Sequence, residues 1–242
     1  MKALVVGGSS GIGLSIVLQL VCDASVERVF VVDKAEFPAA YNNNKIEWRR
    51  CDLSLGDYLI FDEINDIQAL YITAGFGNLN WFQELSEDYI NASFSVNAIA
   101  PIQIIRHYYD KLLSKDDFCC AVMVSMAGRL SSPLFSVYSA TKAALVKFIE
   151  AVNVELDVQG STNRILEVSP GSLKGTRFNG GAYQPELTEL LATEIIERSI
   201  KHETLYIPQY DDVFKEVIER YQSNPHKFGV DSYWYKKKQG RF

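Results

Sequence analysis

Short apolar runs alternate with longer stretches of helical periodicity along most of this chain. The runs at 3–6, 29–32, 46–50, 69–73, 120–125 and 165–169 predict strands. Most are continuous in Val, Ile, Leu, Ala or Cys, which marks strands covered on both faces. The stretches at 12–22, 55–64, 86–113, 136–158 and 186–202 predict helices. Strands alternating with helices imply βαβ units, and so a doubly wound α/β fold with a parallel sheet and helices on both faces. Right-handed crossovers would gather the loops of interest beyond the carboxyl ends of the strands. No repeat, linker or low-complexity tract breaks the pattern, so 1–242 is expected to form one Rossmann-like domain.

Beyond residue 203 the pattern thins. Residues 204–207 predict a short last strand stopped by Pro208, and 211–223 a helix with Val213, Val217 and Ile218 on one side. Residues 232–242 interleave Tyr233, Trp234, Tyr235 and Phe242 with Lys236, Lys237, Lys238 and Arg241. Such mixtures can bind single-stranded nucleic acid. This one is short, however, and belongs to an acidic chain. It is expected to pack on its own body or on a partner subunit, or to close one side of a substrate pocket. Residues 203–242 thus read as an atypical C-terminal extension.

The net charge of −6 gives no general attraction to nucleic acid or anionic membrane. No apolar run approaches the roughly 18 residues a membrane span needs. The N-terminus runs directly into a predicted strand, leaving no room for a secretion signal. Cys22, Cys51, Cys119 and Cys120 form no metal-type spacing, so free thiols and no metal site are expected. Together these features predict a cytoplasmic protein.

Two segments carry chemistry. Gly7-Gly8-Ser9-Ser10-Gly11-Ile12-Gly13 lies where the first strand meets the first helix. Glycines there let backbone N–H groups approach a pyrophosphate at a helix N-terminus. The G-x-x-x-G-x-G spacing departs from the G-x-G-x-x-G dinucleotide fingerprint. Asp33, twenty residues after Gly13, ends the second strand, where a carboxylate can hold ribose hydroxyls and repel a 2′-phosphate. That favours NAD, while the neighbouring Lys34 leaves NADP open. The second segment holds Ser125, Tyr138 and Lys142. At i and i+4 on a helix, Tyr138 and Lys142 share a face. An ammonium near a phenol favours the phenolate, lowering a pKa of about 10 toward working pH and making a general acid/base.

These pieces together resemble the short-chain dehydrogenase/reductase family over about residues 1–180. The glycine motif here begins Val6-Gly7 where the family usually has Thr-Gly. The family's N-N-A-G becomes Ile72-Thr73-Ala74-Gly75, without either asparagine. The family's threonine after Pro170-Gly171 is matched by Thr176, one residue late. The resemblance implies that Gly7, Ser10, Gly11, Ile12, Gly13, Asp33, Asp52, Leu53, Ala74, Gly75, Pro170, Gly171 and Thr176 bind the dinucleotide, with Asp52 at the adenine. It implies that Tyr138 exchanges a proton with the substrate oxygen, that Ser125 hydrogen-bonds that oxygen, and that Lys142 holds the nicotinamide ribose. Asn97 would fix a water linking Lys142 to solvent. The expected partners are an alcohol or carbonyl substrate and further copies of the chain, as a homodimer or homotetramer through helices beginning near Ser86 and Ser136. Phe178 and Tyr183 are candidate pocket walls, and Lys174, Arg177 and Arg129 candidate grips for a substrate phosphate or carboxylate. Two alternatives stay open: an NADP-dependent reductase, and a dinucleotide-binding regulatory or scaffold protein without turnover.

Overall fold

A computed structural model describes residues 1–176 and 184–240. Its strands are β1 (Lys2–Val6), β2 (Arg28–Asp33), β3 (Ile46–Arg50), β4 (Ala69–Ile72), β5 (Cys119–Met123), β6 (Ile165–Val168) and β7 (Leu205–Tyr206). They form one parallel sheet in the order β3-β2-β1-β4-β5-β6-β7. The helices are α1 (Gly11–Cys22), α2 (Glu87–Phe94), α3 (Ala100–His107), α4 (Tyr109–Leu113), α5 (Ser136–Val158), α6 (Glu189–Ile200), α7 (Lys215–Ser223) and α8 (Pro225–Lys238).

Alternate residues of the central strands feed two apolar layers, as the period-2 geometry of a strand requires. Leu4 and Val6 pack with Ile104, Leu145 and Ile149 on the face covered by α3 and α5. Ala3 and Val5 pack with Leu14, Val17 and Ile195 on the face covered by α1 and α6. Both faces being covered explains why the strands read as continuous apolar runs.

One strand residue breaks that rule. Glu167, in β6, is 1% exposed. Stripping a carboxylate of water costs several kcal/mol unless its oxygens are paired. Arg129 supplies the pairing, donating from Nε at 2.9 Å and from Nη2 at 2.5 Å, and the Ser169 hydroxyl adds a bond at 2.6 Å. The expectation that Arg129 grips a substrate is thereby corrected: its guanidinium neutralises the sheet's own buried acid. Lys174 is exposed, and Arg177, Phe178 and Tyr183 lie outside the described residues.

Three other elements depart from the pattern-based reading. The helix expected at 55–64 is two 3-10 turns, Leu53–Leu55 and Leu59–Glu63, because Gly56 ends the first and Asp57 turns the chain by accepting from the Leu59 N–H at 3.1 Å. The stretch 86–113 is three helices joined in part by a π turn, Ser95–Ile99. Pro101 has no N–H to complete the α-helical bond to Asn97's carbonyl, which favours the wider turn. The last segment, for which the pattern predicted no regular element, is a helix. Asn224 caps α8 by accepting from the Lys227 N–H at 2.9 Å, and Pro225 occupies the first helical position.

Candidate active site

The sheet order reverses between β1 and β4, so crossovers leave in opposite directions there and open a crevice at the strands' carboxyl ends. A cleft of about 630 Å³ occupies it. Of the positions expected to bind or react, Gly7, Ser10, Gly11, Ile12, Gly13, Asp33, Asp52, Leu53, Ala74, Gly75, Ser125, Tyr138, Lys142, Pro170, Gly171 and Thr176 line it.

At one end, α1 begins with no acidic residue in its first turn and no side-chain cap from Ser10. Its first N–H groups and partial positive charge therefore face the cleft, which suits a phosphate. Gly13 makes this approach possible: a Cβ there would lie 2.2 Å from the Gly7 carbonyl oxygen and 2.4 Å from Thr73 Oγ1. Gly13→Ala is expected to lose dinucleotide affinity by at least about tenfold and to lower Tm, because α1 must withdraw from β1 to clear the methyl. NADH titration and a melting curve read both. Thr73 also explains how the turn tolerates the missing asparagines. Its hydroxyl donates to the carbonyls of Val6 at 3.0 Å and Gly7 at 3.2 Å, tying the ends of β1 and β4 together.

Asp33 supports the same turn, accepting from the N–H groups of Ser9 and Ala35, each at 3.0 Å. Asp52 caps the next turn. The Ser54 hydroxyl and N–H both bond to it and hold its carboxyl below the usual range. Across the cleft, the additional residue before Thr176 is absorbed by Gly175 at φ +77°, and Thr176 returns to the wall.

At the other end lie Ser125, Tyr138 and Lys142. Ser125 lies two residues beyond β5 and accepts from the Ala127 N–H at 3.1 Å, while the following Met126 N–H is held by the Pro170 carbonyl at 2.9 Å. Tyr138 and Lys142 lie one turn apart on α5, with Lys142 Nζ 5.9 Å from the centre of the phenol ring. Both are almost fully buried. Burial pushes the phenol up to about 12, against which a hydrogen bond with Ser125 works. Burial alone brings Lys142 down to about 8. The expectation of a lysine-depressed phenol is corrected for this state: loss of water raises the phenol, and Lys142 Nζ is engaged by the Met123 carbonyl at 2.9 Å. Asn97 is fully buried and its amide clamps the chain at Phe76, accepting from the N–H at 2.9 Å and donating to the carbonyl at 2.8 Å. Its side chain braces the strand-exit loop rather than lining the cleft.

A family model described as short chain dehydrogenase matches residues 1–186. The chain belongs to the short-chain dehydrogenase/reductase family. It is similar to an uncharacterized oxidoreductase of Saccharomyces cerevisiae, TDA5, at 31% identity over 73% of this chain and 56% of that one. It is also similar to a short chain dehydrogenase/reductase of Claviceps purpurea, at 28% identity over 75% of this chain and 65% of that one. The chain thus spans less than two thirds of the length of these curated relatives. A solved short-chain dehydrogenase from Streptomyces avermitilis shares the fold, with a TM-score of 0.75 and 20% identity over 100% of this chain and 99% of that one.

The other side of the cleft is built largely from residues outside the glycine and Tyr-Lys motifs. Phe76, Leu130, Ser131, Ser132 and Phe135 come from loops, while Phe214, Phe228, Ser232 and Lys236 come from the C-terminal segment. Phe214 lies so close to Gly171 that a Cβ there would be 2.4 Å from its ring. An Asn-Pro start signal and the four-residue spacing of Phe228, Ser232 and Lys236 would have pointed to a helix facing the site. The high basic and aromatic content of its last turns obscured that spacing.

Proposed function

We propose that this oxidoreductase transfers a hydride between a nicotinamide dinucleotide, NAD in preference to NADP, and an alcohol/carbonyl pair, with Tyr138 as general acid/base. The observation that carries the reading is the meeting of Ser125, Tyr138 and Lys142 at the end of a cleft whose other end is a glycine turn and a bare helix N-terminus. The donor set fits the group. The turn from Gly7 to Gly13 would hold the pyrophosphate, Asp33 the adenosine ribose, Asp52 and Leu53 the adenine. Ala74, Gly75, Pro170, Gly171 and Thr176 would wall the nicotinamide. When bound, the nicotinamide supplies or accepts the hydride.

The chain's own residues handle the proton. A phenol raised to about 12 is protonated at neutral pH and so stands ready to donate to a carbonyl oxygen. Ser125 would hydrogen-bond that oxygen as charge develops. Lys142, within a turn of the phenol, would stabilise the phenolate left behind and hold the nicotinamide ribose. Asn97 would keep the route from Lys142 to solvent in place by bracing the loop at Phe76. Assembly into a homodimer or homotetramer through α2 to α5 belongs to the same proposal, supported by the exposed apolar side chains Phe94, Ile99, Val154 and Val158.

The test is oxidation of NADH and NADPH against a panel of ketones, aldehydes, keto acids and keto sugars. Turnover with NADH supports the reading. Failure to bind either cofactor would overturn it, and tight binding without turnover across the panel would favour a regulatory or scaffold role. Because Lys34 also lines the cleft, an NADP-dependent reductase is the reading to distinguish. Asp33→Ala is expected to raise KM for NADH about tenfold or more, the loss of one charged hydrogen bond, and to lower that for NADPH. An unchanged ratio would remove Asp33 from cofactor choice.

A further inference from the structure

A continuous line of contacts runs from the C-terminal helix to the proposed acid. Lys236 is 5% exposed although it lies in the last turn of α8. Its Nζ donates to the Ser132 hydroxyl at 2.8 Å and to the Pro133 carbonyl at 2.7 Å. These bonds fasten α8 to the loop that leads into α5. The same ammonium lies 5.5 Å from the centre of the Phe135 ring. Phe135 in turn packs on Tyr138, with ring centres 5.4 Å apart and planes tilted by 51°. Lys142 approaches the Tyr138 ring at 5.9 Å. Two aromatic rings are thus flanked by two buried lysines, one from α5 and one from the end of the chain.

We propose that Lys236 is a positioning residue for Tyr138: by latching α8 onto Ser132 and Pro133 and seating on Phe135, it fixes the ring against which the phenol packs. The proposal rests on Tyr138 being the proton donor. Ser232 and Phe228 lie one and two turns before Lys236 on α8 and line the cleft with it, so one helix face both walls the substrate side and sets the acid. An ammonium near an aromatic face is held by the ring quadrupole, most strongly where water is excluded. A side chain that packs against a reacting group restricts its rotamers, and catalysis is sensitive to displacements of about 1 Å.

The test uses the 242-residue chain, cofactor-free and labelled with ¹³C-tyrosine, the Tyr138 signal being assigned by its loss in Tyr138→Phe. Lys236→Met keeps the apolar stem and removes the charge and both hydrogen bonds. It is expected to shift the Tyr138 ring signal in the direction seen for Phe135→Leu. The double variant should add no further shift, and Lys236→Arg should restore the signal in part. In active protein, Lys236→Met is expected to lower kcat about 3- to 30-fold with NADH affinity unchanged. Should Lys236→Met fail to fold, Ser132→Ala removes one latch bond alone and is read in the same way. An unmoved Tyr138 signal in a folded variant would overturn the proposal, as would additive shifts in the double variant. A wild type that turns nothing over would overturn the proposed function instead, since the spectroscopic arm needs no turnover.

Discussion

In Tyr138→Phe, turnover is expected to fall about 10²–10⁴-fold while NADH affinity stays the same, the range that general acid/base catalysis supplies. The substitution deletes one oxygen from a ring that is 7% exposed and packed on Phe135, so neither fold nor cleft shape should change. It also removes a hydroxyl that burial holds in its protonated form, up to about 12. Tm should therefore hold or rise slightly, because a desolvated polar group disappears along with its proton. Stopped-flow NADH oxidation and an NADH titration measure the two parts separately. A variant that keeps more than a tenth of wild-type turnover would move the proton donor elsewhere. Ser125, bonded to the same phenol, would then be the first residue to test. The ionisation state also sets a direction. The resting phenol is an acid, so carbonyl reduction should proceed at neutral pH without prior ionisation, whereas alcohol oxidation should accelerate as pH rises toward the phenol's range.

Much of this site could be read from residue order, because its parts are local. The glycine turn, the strand-end carboxylate Asp33 and the i, i+4 pair Tyr138 and Lys142 each act within one element, and the parallel sheet then brings the strand ends together. What the pattern did not reveal depends on contacts between distant residues. Arg129 looked like a surface cation near a pocket, yet Glu167 lies 38 residues away and is buried beside it. The strength of burial at Tyr138 likewise comes from packing across elements, and it reverses the direction expected for the phenol from Lys142 alone. The helix of residues 225–238 carried capping signals but no apolar stripe. Its buried face uses a glycine and a lysine, Gly229 and Lys236, where hydrophobic periodicity looks for Leu or Val.

Lys142→Met is expected to stabilise the protein at neutral pH and to cost about 100-fold or more in turnover. Lys142 is 2% exposed, and burial brings it from its ordinary 10.5 down to about 8. Below pH 8 folding must carry a desolvated ammonium. Between pH 8 and 10.5 the unfolded chain holds a proton on Lys142 that the folded chain has released, so the lysine's contribution to stability rises with pH across that window. The full rise is about 3 kcal/mol, from roughly 1.4 kcal/mol for each unit of difference. From pH 9 the rise is opposed, because buried Cys119 and Cys120 stay protonated in the fold while their unfolded counterparts ionise, and above pH 10 buried Tyr138, raised to about 12, adds to the fall. Tyr71 and Tyr108, also raised by burial, act in the same direction. Urea unfolding of the wild type should therefore show maximal stability near pH 9, and in Lys142→Met the rise above pH 8 should be missing. A variant less stable than wild type at pH 7 would mean that the Met123 carbonyl and the packed rings already compensate the charge. If the variant is more stable and inactive, the lysine costs the fold stability that only its chemistry explains, as expected of a group held beside a reacting phenol rather than in a structural pair.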